Sequence, residues 1–588
     1  MIKAKINGID VEVEEGTTIL EAAKKVEVKI PTLCKHPDLL PSAACGICVV
    51  KIKGAPRMTR SCCTELTEGM EITTHDPEII SVRRTVLELI LSNHPNSCLT
   101  CGRNQNCELQ TLTADFGIKE EPFQKILKEI NIDDSIQTIV LEPQKCIKCA
   151  RCIQACQDMQ NVWALSFVNR GIETRIAPAA DFKLADSPCV SCGQCSAYCP
   201  TGAIFEYDET HKVLETLNNP SKYCVVQIAP AVRVAIGESF GLESGDLTTG
   251  KLYTLLKRLG FKAVFDTCFG ADLTIIEEGT EFVKRLTKNE GILPLISSCC
   301  PAWVDFMEKF HYDIVPNFST CKSPHEMLAS LAKTYYAQKI NVAPEDIFMV
   351  SIMPCIAKKF EIKRSQEMYS SKTQDVDVSI TTRELARIIK QAGIDFVSLP
   401  ESKPDTILAD YTGGGTIFGA TGGVMEAGLR SIHYLLTGEN IEGLEFKEVR
   451  GLDGVKEATV KIGDYNLKVA IAHGLSNVEY VINKILDAKE KNLEPPYHFV
   501  EVMACPGGCI GGGGQPRNIN NKVRNLRING LYTDDKNQKY RNCHDNPQIK
   551  KLYEEFLGEP GSKKSHELLH LYYKPREKYK NYRETELL

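Results

Sequence analysis

The chain has 588 residues, 43% of them hydrophobic and 25% charged, with a formal net charge of -6. That length is too great for one hydrophobic core, so several domains of ordinary globular composition are expected. The small charge gives no support to a nucleic-acid or membrane-surface protein, and no apolar run approaches a membrane span.

The N-terminal MIKAKINGIDVEVEEG reads as strand, turn and strand rather than as a secretion signal, which predicts a cytoplasmic protein. Against that background the 25 cysteines stand out. In a chain of this kind, tight C-x2-C spacing points to metal rather than to disulfides.

Residues 1–81 form the first predicted domain. Asn7-Gly8 between KAKI and IDVEV is a hairpin signal, and Thr18 with Glu21 makes a capping box before ILEAAKKV. Cys34, Cys45, Cys48 and Cys62 then follow as C-x10-C-x2-C-x13-C, a set that suits one [2Fe-2S] cluster. Zinc is the competing occupant, and spacing alone does not separate Cys63 from Cys62 as the fourth ligand. Residues 82–137 carry His94, Cys98, Cys101 and Cys107 as H-x3-C-x2-C-x5-C, with no fourth cysteine nearby. An imidazole can complete a [4Fe-4S] site and raise its potential by removing a negative charge. The alternative leaves His94 outside the ligand shell.

Residues 138–210 hold the strongest local signal. Cys146, Cys149, Cys152 and Cys156 form C-x2-C-x2-C-x3-C, and Cys189, Cys192, Cys195 and Cys199 repeat it before Pro200. In this bacterial two-cluster ferredoxin run, the fourth cysteine of each set binds the other cluster. One [4Fe-4S] is therefore assigned to Cys146, Cys149, Cys152 and Cys199, and the other to Cys189, Cys192, Cys195 and Cys156. Four accessory centres in a row imply electron transfer between a buried reaction site and a distant surface.

Residues 218–588 change pattern to apolar strands separated by helices: YCVVQIAP, FKAVFDT, IFMVSIM, KVAIAHG and YHFVEVMA, with GKLYTLLKRLG as a helix stopped by Gly260. This predicts α/β layers on largely parallel sheets, with functional residues just past strand ends. Three motifs fall in this region: SSCCPAW at Ser297–Trp303, MPCIAKKFE at Met353–Glu361 and MACPGGCIGGGGQP at Met503–Pro516. They resemble the active-site signatures of the [FeFe]-hydrogenases, and the resemblance extends through every cysteine run upstream.

The fold class that this implies is multidomain α+β and α/β. It comprises a ferredoxin-like [2Fe-2S] domain, a His-ligated module, a two-[4Fe-4S] ferredoxin domain and a catalytic α/β domain. The resemblance favours Cys62 over Cys63. It also implies that Cys300, Cys355, Cys505 and Cys509 hold a [4Fe-4S] cubane, bridged by Cys509 to a two-iron subcluster with CO, cyanide and dithiolate ligands, the whole being the H-cluster. Lys358 would place a cation near cyanide, Met353 and Met503 would give soft apolar walls, and Ala229-Pro230-Ala231 would line the site.

Heterolytic H2 cleavage leaves a proton that a base must carry away. By resemblance the carriers are Cys299, Glu278, Ser319 and Glu281, leading towards Arg285 near the surface. Glu277 reads as a solvated helix-face residue. His325 stands where the family often has Gln, which would alter hydrogen bonding near the diiron site. Cys224, Cys268, Cys321 and Cys543 lie outside every motif and read as packing residues.

The expected activity is reversible H2 oxidation, with electrons relayed to flavin- and NAD(P)-binding and small [2Fe-2S] partner subunits, to ferredoxin, or to both. Dedicated maturation proteins are also implied. No Rossmann G-x-G-x-x-G follows a strand where one is expected, so nicotinamide would bind a partner. The tail SHELLHLYYKPR resembles the family ending, and no cysteine-rich domain is expected beyond Cys543. A stand-alone ferredoxin-linked enzyme is one alternative, and a non-catalytic H2-sensing or wiring protein is another. A complex-I-like subunit would lack the three motifs.

Overall fold

The computed structural model describes residues 1–579 apart from 121, 126, 128, 129 and 518; the end of the predicted catalytic domain, 580–588, lies outside the described residues. The chain divides into two compact units. The first comprises residues 1–158, 163–187 and 198–205, and the second comprises 159–162, 188–197 and 206–588.

The first unit begins with a hairpin, Ile2–Ile6 paired antiparallel to Ile9–Val13. It turns on Asn7 and Gly8, whose φ of 53° and 81° are what a two-residue hairpin of this hand requires. Glu71–Thr73 adds parallel to the first strand and Val49–Ile52 antiparallel to Glu71–Thr73. The helix Ile19–Lys25 starts on the predicted capping box: Thr18 accepts from the Glu21 N–H, and Glu21 reaches back to the Thr18 N–H. Ile6, Val13, Ile19 and Ala22 meet beneath this sheet with no exposed surface. Each large apolar side chain so buried contributes about 1.5–3 kcal/mol.

The second unit is built on two four-stranded sheets. In one, Ala263–Asp266, Tyr223–Ile228, Ile347–Met353 and Val378–Thr381 lie side by side, all parallel. In the other, Leu295–Ile296, Phe499–Met503 and Tyr465–His473 run parallel, and Val455–Ile462 closes the edge as an antiparallel hairpin. The apolar strand segments read from sequence therefore fall where expected, and Gly260 ends the helix Thr249–Leu259 in the left-handed region. A 22-residue helix, Thr267–Lys288, is buried on nearly every side and packs against the helix Pro324–Leu331. Among the described residues, no helix is long and apolar enough to cross a membrane.

Candidate active site

In the first unit the thiols of Cys34, Cys45, Cys48 and Cys62 lie together. Cys34 is in bonding range of Cys45 and Cys62, and Cys48 of Cys62. Contact with Cys45 and Cys62 pushes Cys34 down and contact with Cys62 brings Cys48 to about 6, while Cys45 and Cys62 are pushed up. A group of thiols sharing protons in this way relaxes by giving them up to metal. Cys63 is exposed and turns to the Arg60 carbonyl.

His94 is buried, and its Nδ1 accepts from the Asn96 N–H at 3.3 Å. His94, Cys98 and Cys107 line one cavity, whereas Cys101 packs where a Cβ on Gly202 would meet its Sγ at 2.6 Å. Cys146 and Cys149 lie within electrostatic reach of Cys199, and burial, opposed by the bond from the Lys148 N–H and helped by Cys199, pushes Cys146 up to about 12. The two ferredoxin runs repeat in backbone as well as spacing. Lys148 N–H donates to Cys146 Sγ at 3.3 Å, and Ser191 N–H to Cys189 Sγ at 3.4 Å. Lys148 and Ser191 both adopt positive φ, 56° and 55°. Cys156 belongs to the first unit and Cys189, Cys192 and Cys195 to the second.

In the second unit, loops leaving the carboxyl ends of four parallel strands converge on one apolar cavity. Cys300 follows Leu295–Ile296, Cys355 follows Ile347–Met353, Cys505 follows Phe499–Met503, and Ala229–Ala231 follows Tyr223–Ile228. All four cysteines, counting Cys509, line the cavity, with Cys299, Lys358, Met353 and Met503. This is the strand-end position at which open α/β sheets place ligands.

Local bonds fix the first loop. Ser297 Oγ accepts from the Val502 N–H, Ser298 Oγ donates to the Cys321 carbonyl, and the fully buried Trp303 donates to the Ser297 carbonyl while packing on Phe318. The third loop needs glycine where it approaches other backbone. A Cβ on Gly512 would meet Pro354 O at 2.2 Å, and Gly508, at φ 94°, would meet Thr421 N at 2.7 Å and Met503 Sδ at 2.8 Å.

The residues fit an iron-sulfur occupant. Burial raises the pKa of Cys300, Cys355, Cys505 and Cys509, and Cys355, Cys505 and Cys509 are raised further by neighbouring thiols. As free thiols in an apolar wall they are poor acids, and coordination is what ionises such a set. Among the described residues, Lys358 Nζ bonds Glu361 Oε2 at 2.6 Å and the Cys299 carbonyl at 3.4 Å. An ammonium has three donors, so one remains for the cavity's occupant.

Glu361 is a participant that the sequence reading passed over, although its i, i+3 position from Lys358 was a signal. Its Oε2 also lies 2.7 Å from His325 Nε2. Burial works against its charge, but Lys358 and His325 outweigh burial and hold its pKa down to about 2. Burial, then Lys358, pushes His325 down to about 4, so a neutral imidazole donates to Glu361. Burial likewise raises Glu326 well above the usual carboxylate range. With Lys358 already neutralising Glu361, His325 and Glu361 form a hydrogen-bonded pair, and Glu326 stands beside it with Oε1 3.5 Å from His325 Nε2.

Cys299 and Glu278 interact electrostatically, and Ser319 interacts with Glu278. Glu281 Oε1 pairs with Arg285 at 2.5 Å and Oε2 receives the Thr320 N–H at 3.4 Å. Two expectations are corrected here. Arg285 is not near the surface: it is buried, and its guanidinium also donates to the Ile292, Pro316, Asn317 and Phe318 carbonyls. Glu277 is not a solvated face residue: it is 1% exposed, and its carboxylate accepts from Tyr553 Oη, Ser565 Oγ and the Gly561 N–H and faces His570 Nε2. The C-terminal segment covers that face of the helix. Cys224, Cys268, Cys321 and Cys543 are buried, as packing residues should be.

The family model "Iron only hydrogenase large subunit, C-terminal domain" matches residues 222–513, and "Iron hydrogenase small subunit" matches 521–576. Upstream, a 2Fe-2S cluster-binding domain matches 1–77, the NADH-ubiquinone oxidoreductase-G iron-sulfur binding region 83–122, and a 4Fe-4S dicluster domain 145–203. The chain is 45% identical to the NADP-reducing hydrogenase subunit HndD of Solidesulfovibrio fructosivorans, over 98% of this chain and 100% of that one. It is 38% identical to Iron hydrogenase 1 of Clostridium pasteurianum, over 97% and 99% of the two chains. The apo [FeFe]-hydrogenase HydA1 of Chlamydomonas reinhardtii superposes with a TM-score of 0.56 at 41% identity, over 62% of this chain and 98% of that one. Kinship of this extent, running through the cysteine-rich N-terminal part as well as the cavity, makes the chain a member of the [FeFe]-hydrogenase family and an enzyme of reversible H2 oxidation.

Proposed function

We propose that this chain is the H2-converting subunit of a multimeric, cytoplasmic, NADP-linked hydrogenase. The observation that carries the reading is its end-to-end similarity, at 45% identity, to a subunit named for NADP reduction. Nicotinamide and flavin would sit on partner subunits, with ferredoxin as a further redox partner and maturation proteins supplying the diiron unit.

The proposed accessory chain has four centres. A [2Fe-2S] cluster takes Cys34, Cys45, Cys48 and Cys62. A [4Fe-4S] cluster takes His94, Cys98, Cys101 and Cys107. Two more take Cys146, Cys149, Cys152 and Cys199, and Cys189, Cys192, Cys195 and Cys156. The H-cluster takes Cys300, Cys355, Cys505 and Cys509 and, when bound, supplies heterolytic H2 cleavage and an exit for electrons.

The protein's own part is to orient, to exclude water and to move protons. Lys358, fixed by Glu361, offers its remaining N–H to an anionic ligand in the cavity. Met353, Met503 and Ala229–Ala231 keep water out, which strengthens every polar contact inside. Cys299 receives the proton released in the cavity and hands it to Glu278. Ser319 passes it on by giving up its own hydroxyl proton as it takes the next, and Glu281 receives it.

The test is anaerobic H2-dependent NADP+ reduction by natively purified material, with and without oxidised ferredoxin. NADP+ reduction with co-purifying flavin subunits supports the reading. Reduction of ferredoxin or viologen alone would replace it with the stand-alone enzyme. Absence of H2 activity with every acceptor, at verified iron content, would favour the sensing or wiring protein.

A further inference from the structure

The relay proposed above needs an exchange point with solvent, and Arg285 does not provide one. Its guanidinium is buried and engaged with four carbonyls and Glu281. We infer that His566 and His570, carried by the segment matching the small-subunit family, are the proton-exchange end of this relay.

The geometry starts at Thr320, next to Ser319. Its N–H donates to Glu281 Oε2, and its hydroxyl lies 2.8 Å from His570 Nδ1. His570 is buried, and its other nitrogen, Nε2, lies 3.2 Å from Glu277 Oε2. Its ring packs on that of His566 with centroids 4.1 Å apart, and His566 is exposed. The strip is stitched directly to the relay: Leu571 N–H donates to the Thr320 carbonyl, Lys322 N–H to the Leu569 carbonyl, and Tyr573 Oη to the Ser319 carbonyl at 2.5 Å. One imidazole therefore touches the relay segment, and a second touches both solvent and the first.

Imidazole suits this task because it binds a proton at one nitrogen and releases one from the other near neutral pH. A proton arriving at Glu281 passes to Thr320 Oγ1 as the hydroxyl proton moves to His570 Nδ1. His570 then releases its Nε2 proton towards Glu277 Oε2, 3.2 Å away, and His566, which packs on His570 and faces the same carboxylate, takes it up and gives it to water. The reverse order loads the relay for H2 evolution. The charged and titratable groups facing His566 are His570, Glu277, Glu281 and Lys284. Burial, then His570, lowers its pKa, so the outer imidazole is neutral at neutral pH and ready to accept.

The inference rests on the relay through Glu278, Ser319 and Glu281, so the experiment separates the two. The holoenzyme is assayed for dye-linked H2 uptake against pH and buffer concentration in His566→Gln, His570→Gln and Glu281→Gln. His566 is exposed, so His566→Gln folds even if His570→Gln loosens the segment. A loss of about tenfold or more at low buffer in the histidine variants, recovered by added imidazole, is expected for a missing proton carrier. A histidine that only clamps the segment would not respond to imidazole. If Glu281→Gln is inactive while both histidine variants keep the parent's rate and buffer response, or lose rate that imidazole does not restore, the histidine branch falls and the relay stands. If Glu281→Gln keeps full turnover, the relay and the inference fall together.

Discussion

Glu278→Gln is the perturbation that the proposed proton path makes most exacting. Glu278 is 2% exposed, and burial, opposed by Ser319 and reinforced by Glu281, raises its pKa to about 8. At pH 7, one unit below, the acid form outnumbers the carboxylate about ten to one. H2 uptake needs the carboxylate, which accepts a proton, and H2 evolution needs the acid, which donates one. Uptake should therefore climb as pH rises through about 8, and evolution should fall over the same interval. Glutamine keeps the shape but cannot cycle a proton, so both directions should drop by about 10²–10⁴-fold, the usual worth of a positioned acid-base group. The assay is dye-linked uptake and evolution from pH 6 to about 9, bracketing the raised carboxyl, on material whose iron content and cluster spectra equal the parent's. Infrared difference spectra should show a protonated carboxyl in the parent that is missing in the variant. A fully loaded Glu278→Gln enzyme retaining more than about a tenth of parent turnover would refute the reasoning.

Cys299→Ala should leave the cubane spectroscopically intact and nearly abolish turnover, since the first carrier is gone; near-normal H2 activity would remove Cys299 from the path. His94→Ala should lose or convert one accessory cluster while dye-linked activity persists, and an unchanged iron count and spectrum would put His94 outside the ligand shell. Glu277→Gln replaces an acceptor-only carboxylate by an amide whose NH2 faces donors, at a cost of about 2–4 kcal/mol. Local opening of residues 553–570 should follow, read as faster hydrogen exchange there. Burial opposes the Glu277 charge, but His570, Ser565 and Tyr553 outweigh it and lower its pKa. Its stabilisation is therefore present above the ordinary carboxylate value of about 4.5 and is lost as pH falls through the lowered one; an exchange rate in the parent that stays flat below that value would contradict this.

What the sequence made legible was local. The capping box at Thr18, the hairpin at Asn7-Gly8, the strand Ile347–Met353 and the duplicated cysteine spacing are written within a few residues of one another, and the structure repeats them. The misreadings all came from contacts made across long separations. Glu277 and His570 are 293 residues apart in sequence and meet in space, so no window on the helix Thr267–Lys288 shows that this face is covered. A carboxylate between Ile276 and Glu278 has the look of a solvated residue, and tertiary packing overrides it. Arg285 reads as outward for the same reason, because three of its four carbonyl acceptors, Pro316, Asn317 and Phe318, lie on a segment 31 to 33 residues further on.

On the proposed reading, electrons and protons leave the site by different walls, and the two walls are built differently in the second unit. On one side, the loop carrying Cys505 and Cys509 is packed against the Cys192–Gln194 turn. Gln194 Nε2 donates to the Gly511 carbonyl at 3.2 Å, a Cβ on Gly513 would strike Cys192 O at 2.7 Å, and Gly193 presses on Ile356 beside Cys355. Any side chain at Gly513 or Gly193 would push a ferredoxin-type loop away from the cavity wall and lengthen the electron step. The other wall begins at Cys299 and continues into the buried carboxylates of the Thr267–Lys288 helix, where burial has raised Glu278 into a range useful for proton exchange. Between the walls, Met353 and Met503 contribute no titratable group. A lesion in the ferredoxin-type loop should therefore slow natural electron acceptors while sparing hydrogen-isotope exchange with solvent, whereas a lesion at Glu278 should slow both.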